Sequence, residues 1–150
     1  MKPDRLLTLP VILTFVLYCA TAFADSYVLV SEEDVVRSRA AEGIDEVAER
    51  AADPLGPKID VLRPGDGDEF VAPVDIHITF VPTEGAEIDL GTLEIKYGAL
   101  GLNVTDRVIE NAEVTNRGIR SEGAMLPRGK HKLTVYIGDT LGRVGKRRFT

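Results

Sequence analysis

The chain has 150 residues and carries 24 acidic against 18 basic side chains, a formal net charge of −6. This length is typical of one domain, and a single cysteine excludes an intramolecular disulfide. Because nucleic acids and anionic membranes attract positively charged surfaces, the negative charge argues against either as the main partner.

Residues 1–24 have the composition of a secretory signal peptide. A basic start precedes an apolar run over residues 6–20, and Ala22-Phe23-Ala24 fits the small-residue site at which signal peptidase cleaves. The alternative is an uncleaved membrane anchor. It is disfavoured because the run is shorter than the ~20 residues that a span needs, and Pro10 interrupts it. We therefore expect a periplasmic or secreted chain beginning at Asp25, with membrane contact only through the signal segment if it stays uncleaved.

Residues 25–57 are predicted to be a leader helix followed by a Pro/Gly linker. Ser31-Glu32-Glu33-Asp34 resembles a capping box, so a helix should begin there. The linker is Asp53-Pro54-Leu55-Gly56-Pro57, whose prolines and glycine end the helical region. The helix could dock weakly on the following domain, self-associate, or act as a spacer. Its narrow apolar stripe recurs at helical spacing and consists of Val36, Ala40, Ile44, Val47 and Ala51.

Beyond the linker, the apolar period changes from helical to alternating, which predicts strands. The clearest strand has one apolar face formed by Val74, Ile76, Ile78 and Phe80. Shorter strands are predicted at residues 59–62, 93–97, 102–105, 108–114 and 118–126. Seven or so strands separated by Pro/Gly turns predict a mainly β fold, a single antiparallel sandwich over residues 58–150.

The end of the chain predicts a hairpin over residues 130–138 and 143–149, joined by the type I turn pattern Asp139-Thr140-Leu141-Gly142. Val144 and Phe149 have opposite parity, so we expect a bulge near Gly145 to turn both toward the core. The face that points outward on the first of these strands should carry Lys130, Lys132, Thr134 and Tyr136.

The last 25 residues carry seven Lys/Arg and one acid, against the trend of the whole chain. One interpretation is a solvent-exposed strand edge, because Lys and Arg side chains on such an edge discourage pairing with another chain. The other is a surface for an acidic polysaccharide or an acidic protein. Nucleic acid is disfavoured because a chain without Trp supplies few stacking rings. The candidate partner-binding residues are Lys130, Lys132, Arg143, Lys146, Arg147 and Arg148.

Four segments resemble the Ig-like or fibronectin-III-like sandwich domains of many bacterial exported proteins. They are "IDVLRPGDGDEFVAPVDIHITF", "IDLGTLEIKY", "NVTDR" and "LPRGKHKLTVYIGDTLGRVGKRRF". The resemblance covers roughly residues 57–150 and rests on turns and strands. It implies a fold rather than an activity, since such domains serve as spacers, adhesive units, sugar-binding accessories or subunit interfaces and share no catalytic residues. These modules often stand in tandem or beside an enzyme, whereas here the module stands nearly alone.

Few residues are candidates for metal or catalytic chemistry. Asp66, Asp68 and Glu69 alternate in a glycine-rich turn and could hold calcium if other loops add ligands, although such turns are common without metal. His77 and His131 lie on different predicted strands with opposite parity, which argues against a joint site. No serine lies in a nucleophile elbow. We therefore predict a non-enzymatic protein without a required cofactor.

Two functions follow from these observations. The first is a non-catalytic exported interaction module that binds a protein or glycan partner in the cell envelope or extracellular space. The second is a structural accessory that self-associates through the helix or an edge strand.

Overall fold

The computed structural model describes residues 26–41, 50–65, 67 and 71–150. Within these ranges the chain is mainly β, with nine strands and two short helices. In chain order they are β1 (Tyr27–Val28), α1 (Glu32–Ala40), β2 (Lys58–Arg63), β3 (Val74–Val81), β4 (Ile88–Tyr97), β5 (Leu102–Asn103), α2 (Thr105–Ile109), β6 (Ala112–Thr115), β7 (Gly118–Met125), β8 (Leu133–Asp139) and β9 (Val144–Phe149).

The strands form two sheets that share one apolar core. The first sheet has the order β1-β7-β3-β2, with β6 also paired to β7, and the second has the order β5-β4-β8-β9. The pairs are antiparallel except for β1, which lies parallel to β7. Two layers that bury their facing apolar surfaces are consistent with the predicted β-sandwich.

The core confirms the alternation read from the sequence. Val74, Ile76, Ile78 and Phe80 of β3 are buried and pack in the same cluster as the β8 residues Leu133, Val135 and Ile137. Because successive side chains of a strand point to opposite faces, each strand contributes every second residue to the core. Burying a side chain of this size contributes about 1.5–3 kcal/mol.

Helix α1 begins where the capping box predicted, but it presents a different face to the domain. Ser31 Oγ accepts from the Asp34 amide, and the Asp34 carboxylate accepts from the Ser31 amide. Val36 of the predicted apolar stripe is 66 % exposed, and the buried side is formed by Asp34, Val35 and Ser38. The stripe prediction was wrong because polar contacts, rather than a row of apolar residues, orient the helix. Ile44 and Val47 lie outside the described residues.

An ion pair joins α1 to α2. Arg107 Nη1 lies 2.6 Å from Asp34 Oδ2 and donates to the Leu29 carbonyl at 3.1 Å. Burial disfavours the charged form of Asp34, but hydrogen bonds from Arg107 and Ser31 outweigh it and lower the pKa of this carboxyl to about 2. The helix therefore docks on the sandwich through a charged contact.

Residues before α1 are part of the first sheet. Tyr27–Val28 pairs with Ala124 and Met125, and the following Leu29 and Val30 are each 1 % exposed in the core. The sequence predicts a leader here, because four residues are too few to show a strand period. Their packing ties the chain before the linker to the sandwich.

The predicted strands over residues 102–105 and 108–114 are replaced in part by α2. The chain leaves β5 at Asn103, whose Oδ1 accepts from the Thr105 amide, while Thr105 Oγ1 accepts from the Ile95 amide. Val108, on the inner side of this short helix, is buried. Asn and Thr side chains that bond nearby backbone compete with a strand ladder, which explains the correction.

The C-terminal hairpin is confirmed, but the expected bulge is not. The pairing of β8 with β9 runs without interruption from Leu133–Phe149 to Gly138–Val144, and the turn closes with the Gly142 amide donating to the Asp139 carbonyl. Gly145 points inward in regular register, where a Cβ atom would overlap the carbonyl oxygen of Pro57. Val144 instead lies on the outer face of the sheet and is partly exposed. The opposite parity of Val144 and Phe149 therefore needs no bulge.

Candidate binding site

The outer face of the second sheet gathers basic side chains from β4 and β9 on either side of β8. In antiparallel pairs, residues directly opposite one another share a face. The register places Arg148 beside Thr134 and Thr134 beside Lys96, and it places Lys146 beside Tyr136. We call Lys96, Lys146 and Arg148, arranged around Tyr136, the basic face.

Tyr136 is the centre of the basic face, although it is only 1 % exposed. Lys96 Nζ lies 5.5 Å and Lys146 Nζ 5.8 Å from the centroid of its ring. Cations held over an aromatic ring gain about 0.5–2 kcal/mol, depending on how far they are desolvated. The sequence correctly placed Tyr136 and Thr134 on the outer face, but both are buried rather than exposed. The ammonium groups of Lys96 and Lys146 both lie over the Tyr136 ring.

One cation of the basic face is paired with an acid of the same face. Glu94 is the acid of this face, and its Oε1 lies 3.3 Å from Lys96 Nζ. Lys96 was missed by the sequence analysis because it belongs to an acidic stretch far from the basic end. The signal that could have found it is the alternation Leu93, Glu94, Ile95, Lys96, Tyr97, which puts Lys96 opposite the core.

The structure divides the six predicted binding residues into four groups. Lys146 and Arg148 lie on the basic face. Lys130 and Lys132 precede β8 and lie near α1. Arg147 has the opposite parity, paired with Val135, and is exposed at the edge of β9. The fourth group is Arg143 alone.

Arg143 is held in the turn by Asp139, so its guanidinium already has a partner within the chain. Its Nε donates to Asp139 Oδ2 at 2.7 Å, and its Nη2 lies 2.7 Å from the same oxygen. The Asp139 side chain is fully buried and also accepts from the amides of Leu141 and Arg143. Burial opposes the charge of Asp139, but the bonds from Arg143 and the two amides prevail and lower the pKa of this carboxyl.

The calcium prediction lies outside the described residues, since Asp66, Asp68 and Glu69 fall in undescribed positions. In the part of the chain that is described, His, Cys, Asp and Glu do not form a group of three or more with metal-binding geometry. The calcium site stays a prediction.

The two histidines do not meet. His77 lies on the outer face of β3 in the first sheet, whereas His131 is buried ahead of β8 in the second. The ring nitrogens of His131 are both bonded: Nδ1 lies 3.0 Å from the Tyr97 hydroxyl and Nε2 lies 2.6 Å from the Pro127 carbonyl. Nε2 donates to the Pro127 carbonyl because a carbonyl only accepts, and the Tyr97 hydroxyl, which can donate or accept, satisfies Nδ1. His131 is therefore a satisfied structural histidine.

Comparison with protein-family models, with curated proteins and with solved structures found no match. In the described ranges, neither helix has the length and apolar character needed to cross a bilayer.

Proposed function

We propose that the protein is a non-catalytic, exported Ig-like interaction module that uses its basic face to bind a partner in the cell envelope or extracellular space. The observation that carries this proposal is the clustering of Lys96, Lys146 and Arg148 around a buried tyrosine. The chain has a net charge of −6, so the concentration of positive charge on one sheet face runs against its overall charge. A surface that is only solvated does not require such a concentration.

The chemistry of this face favours an acidic protein over a glycan. Sugar rings are bound well by exposed aromatic rings, which offer a large apolar area. Among the residues that the structure describes, Phe80, Tyr97, Tyr136 and Phe149 are buried, and Tyr27 is half-buried and bonded to Ser121. Cations around a covered ring instead suit carboxylates, which form charge-assisted bonds with Lys and Arg.

The Ig-like assignment is supported by two sheets around one core and by the C-terminal hairpin. The alternative, self-association through the β9 edge, is opposed by the contact between the Asp53 amide and the Val144 carbonyl, which occupies one end of that edge. Sedimentation of residues 25–150 separates the two functions, because self-association predicts a mass that rises with protein concentration.

The direct test is capture of the partner from native envelope and culture medium with residues 25–150 as bait. A variant with Lys96, Lys146 and Arg148 changed to Ser should lose a captured acidic protein. The matched control changes Arg63, Arg117 and Arg120 to Ser. It removes the same charge from exposed positions on the side of the first sheet.

Capture should also weaken as NaCl rises, because exposed charge pairs are screened. Both variants are first checked for cooperative thermal unfolding, so that loss of binding is not loss of fold. A partner retained equally by the two variants, or one whose capture is indifferent to salt, contradicts the proposal.

A further inference from the structure

The hydroxyl group of Tyr136, at the centre of the basic face, has no hydrogen-bond partner among the described residues. Its oxygen is buried, and the whole residue is only 1 % exposed. Buried polar groups of folded proteins are nearly always hydrogen-bonded, because a buried hydroxyl without a partner has lost its bonds to water and gained none in return. The hydroxyl of Tyr136 therefore needs an explanation that the described fold does not supply.

The two lysines over the Tyr136 ring account for an aromatic residue at this position, but not for its hydroxyl. Lys96 Nζ lies 5.5 Å and Lys146 Nζ 5.8 Å from the ring centroid. A cation is attracted by the face of a phenylalanine ring as well as by that of a tyrosine ring. A phenylalanine would therefore make both contacts without burying a polar group.

Lys96 brings further donors to the same place. Its ammonium group has three N–H donors, and within the described chain it makes an ion pair with Glu94, whose Oε1 lies 3.3 Å from Nζ. This distance is longer than the ~2.7–2.9 Å of a close bond between an ammonium and a carboxylate. The Lys96 and Glu94 side chains are 31 % and 30 % exposed, so a group from solvent can reach the ammonium.

A carboxylate matches these two kinds of donor. An ionised carboxylate only accepts, and it has two oxygens, so one oxygen can accept from a hydroxyl while the other accepts from an ammonium. Glu94 already places one carboxylate beside Lys96 within the fold. A second carboxylate that reached Tyr136 would break no hydrogen bond of its hydroxyl with a described residue, because the hydroxyl has none.

We propose that the Tyr136 hydroxyl and the Lys96 ammonium together bind one carboxylate of the acidic partner, so that this inference rests on the proposed function. We call these two groups the carboxylate subsite. On binding, the ammonium turns from Glu94 and the ring toward the incoming carboxylate, and this movement uncovers the hydroxyl. The unsatisfied buried donor then forms a charge-assisted bond of about 2.5–2.7 Å. Tyr136 thereby selects a carboxylate over an uncharged amide, whose bonds with the same donors are weaker.

The test is a calorimetric titration of residues 25–150, which contain every described element, with a tetraglutamate peptide blocked at both ends. The matched probe is blocked tetraglutamine, which has the same length and no charge. Tetraglutamate should bind saturably, and tetraglutamine should bind about tenfold more weakly or not at all. Equal binding of the two peptides contradicts the proposal.

The matched pair of variants is Tyr136→Phe and Tyr27→Phe, which each remove one hydroxyl and nothing else. Tyr136→Phe should weaken tetraglutamate binding about tenfold or more, the loss expected for a bond to a charged group. Its Tm should be unchanged or higher, because the lost hydroxyl had no partner in the described fold. Tyr27→Phe should leave binding within about twofold and lower Tm by a few degrees, because the Tyr27 hydroxyl is bonded to Ser121 at 2.7 Å.

Glu94→Gln is an independent variant at a partly exposed position. It should strengthen tetraglutamate binding, because the probe no longer competes with an internal carboxylate for Lys96. The proposal is overturned if Tyr136→Phe binds tetraglutamate as tightly as the wild type. It is also overturned if Tyr136→Phe loses as much Tm as Tyr27→Phe, because the hydroxyl would then be a structural group.

The outcomes separate this inference from the proposed function. Partner capture that is lost both in the variant with Lys96, Lys146 and Arg148 changed to Ser and in Tyr136→Phe supports both. Capture that is lost in the triple variant but complete in Tyr136→Phe, with unchanged tetraglutamate binding, refutes the carboxylate subsite alone. Tetraglutamate binding that depends on Tyr136, without any salt-sensitive partner, refutes the proposed function and leaves the subsite for a free carboxylate.

Discussion

Replacing Arg107 with Gln should destabilise the protein by about 2 kcal/mol at pH 7. The substitution removes the 2.6 Å bond to Asp34 and the 3.1 Å bond to the Leu29 carbonyl. A hydrogen bond to a charged group contributes about 1.5–3 kcal/mol, and we take the lower end because the Arg107 side chain is 43 % exposed and screened by solvent. Leaving the Leu29 carbonyl without its donor adds a fraction of the ~1–3 kcal/mol desolvation cost.

Thermal and urea unfolding measure this effect, and the expected fall in Tm is about 5–10 °C for a domain of this size. The control is Arg37→Gln, which breaks an ion pair with 53 % and 79 % exposed partners and should cost at most about 0.5 kcal/mol. Equal losses in the two variants would refute the claim that the buried contact, rather than charge in general, holds α1 to α2.

The pH dependence of this pair provides a second test. The pKa of Asp34 is lowered from 3.8 to about 2 in the folded protein, so its stabilising contribution is present above pH ~4 and is lost as the pH falls toward 2. The Arg107→Gln variant should lose less stability over that window, because its Asp34 starts with a higher pKa. The two proteins should therefore converge in stability near pH 2, and a constant difference from pH 7 to pH 2 would contradict the assignment.

Two further substitutions test the hairpin. Gly145→Ala should destabilise the protein by about 1–3 kcal/mol in urea unfolding, because the new methyl group meets the Pro57 carbonyl. The control is Gly91→Ala, whose methyl group meets only a movable side-chain oxygen and which should be nearly neutral. Arg143→Gln should lower Tm by several degrees because it leaves the buried Asp139 without its cation. Partner capture per folded molecule should not change, and a loss of capture in fully folded protein would restore Arg143 to the binding site.

The strands with long, strict alternation could be predicted from the sequence, and the short elements could not. Over residues 74–80 the period of two is repeated often enough to fix which face is buried, and the structure confirms it. β1 has two residues and pairs with a strand close to the other end of the chain. Such pairing depends on tertiary contacts that leave no local period.

The candidate site was predicted in part, because charge composition shows where bases are numerous but not which face they share. The sequence identified Lys146 and Arg148 but could not connect them with Lys96, since that link requires the register of β4 with β8. It also grouped Arg143 with these two residues. The pattern of an Asp four residues before an Arg in a turn does not show whether the two side chains are bonded to each other.

The pairing of the first strand with a late one has a consequence for the kinetics of folding. The Tyr27 hydroxyl bonds Ser121, a residue 94 positions away, and the residues before β2 bond the last strand through the amide of Asp53. Contacts between residues so far apart in sequence form only after a large loop has closed, so the entropy of loop closure is lost before the contact stabilises the fold. Domains dominated by such contacts fold in milliseconds to seconds. A shortened chain that lacks β9 should therefore lose the Val144 contact that holds the linker, whereas the contacts of α1 with Arg107 and Ala99 do not involve β9.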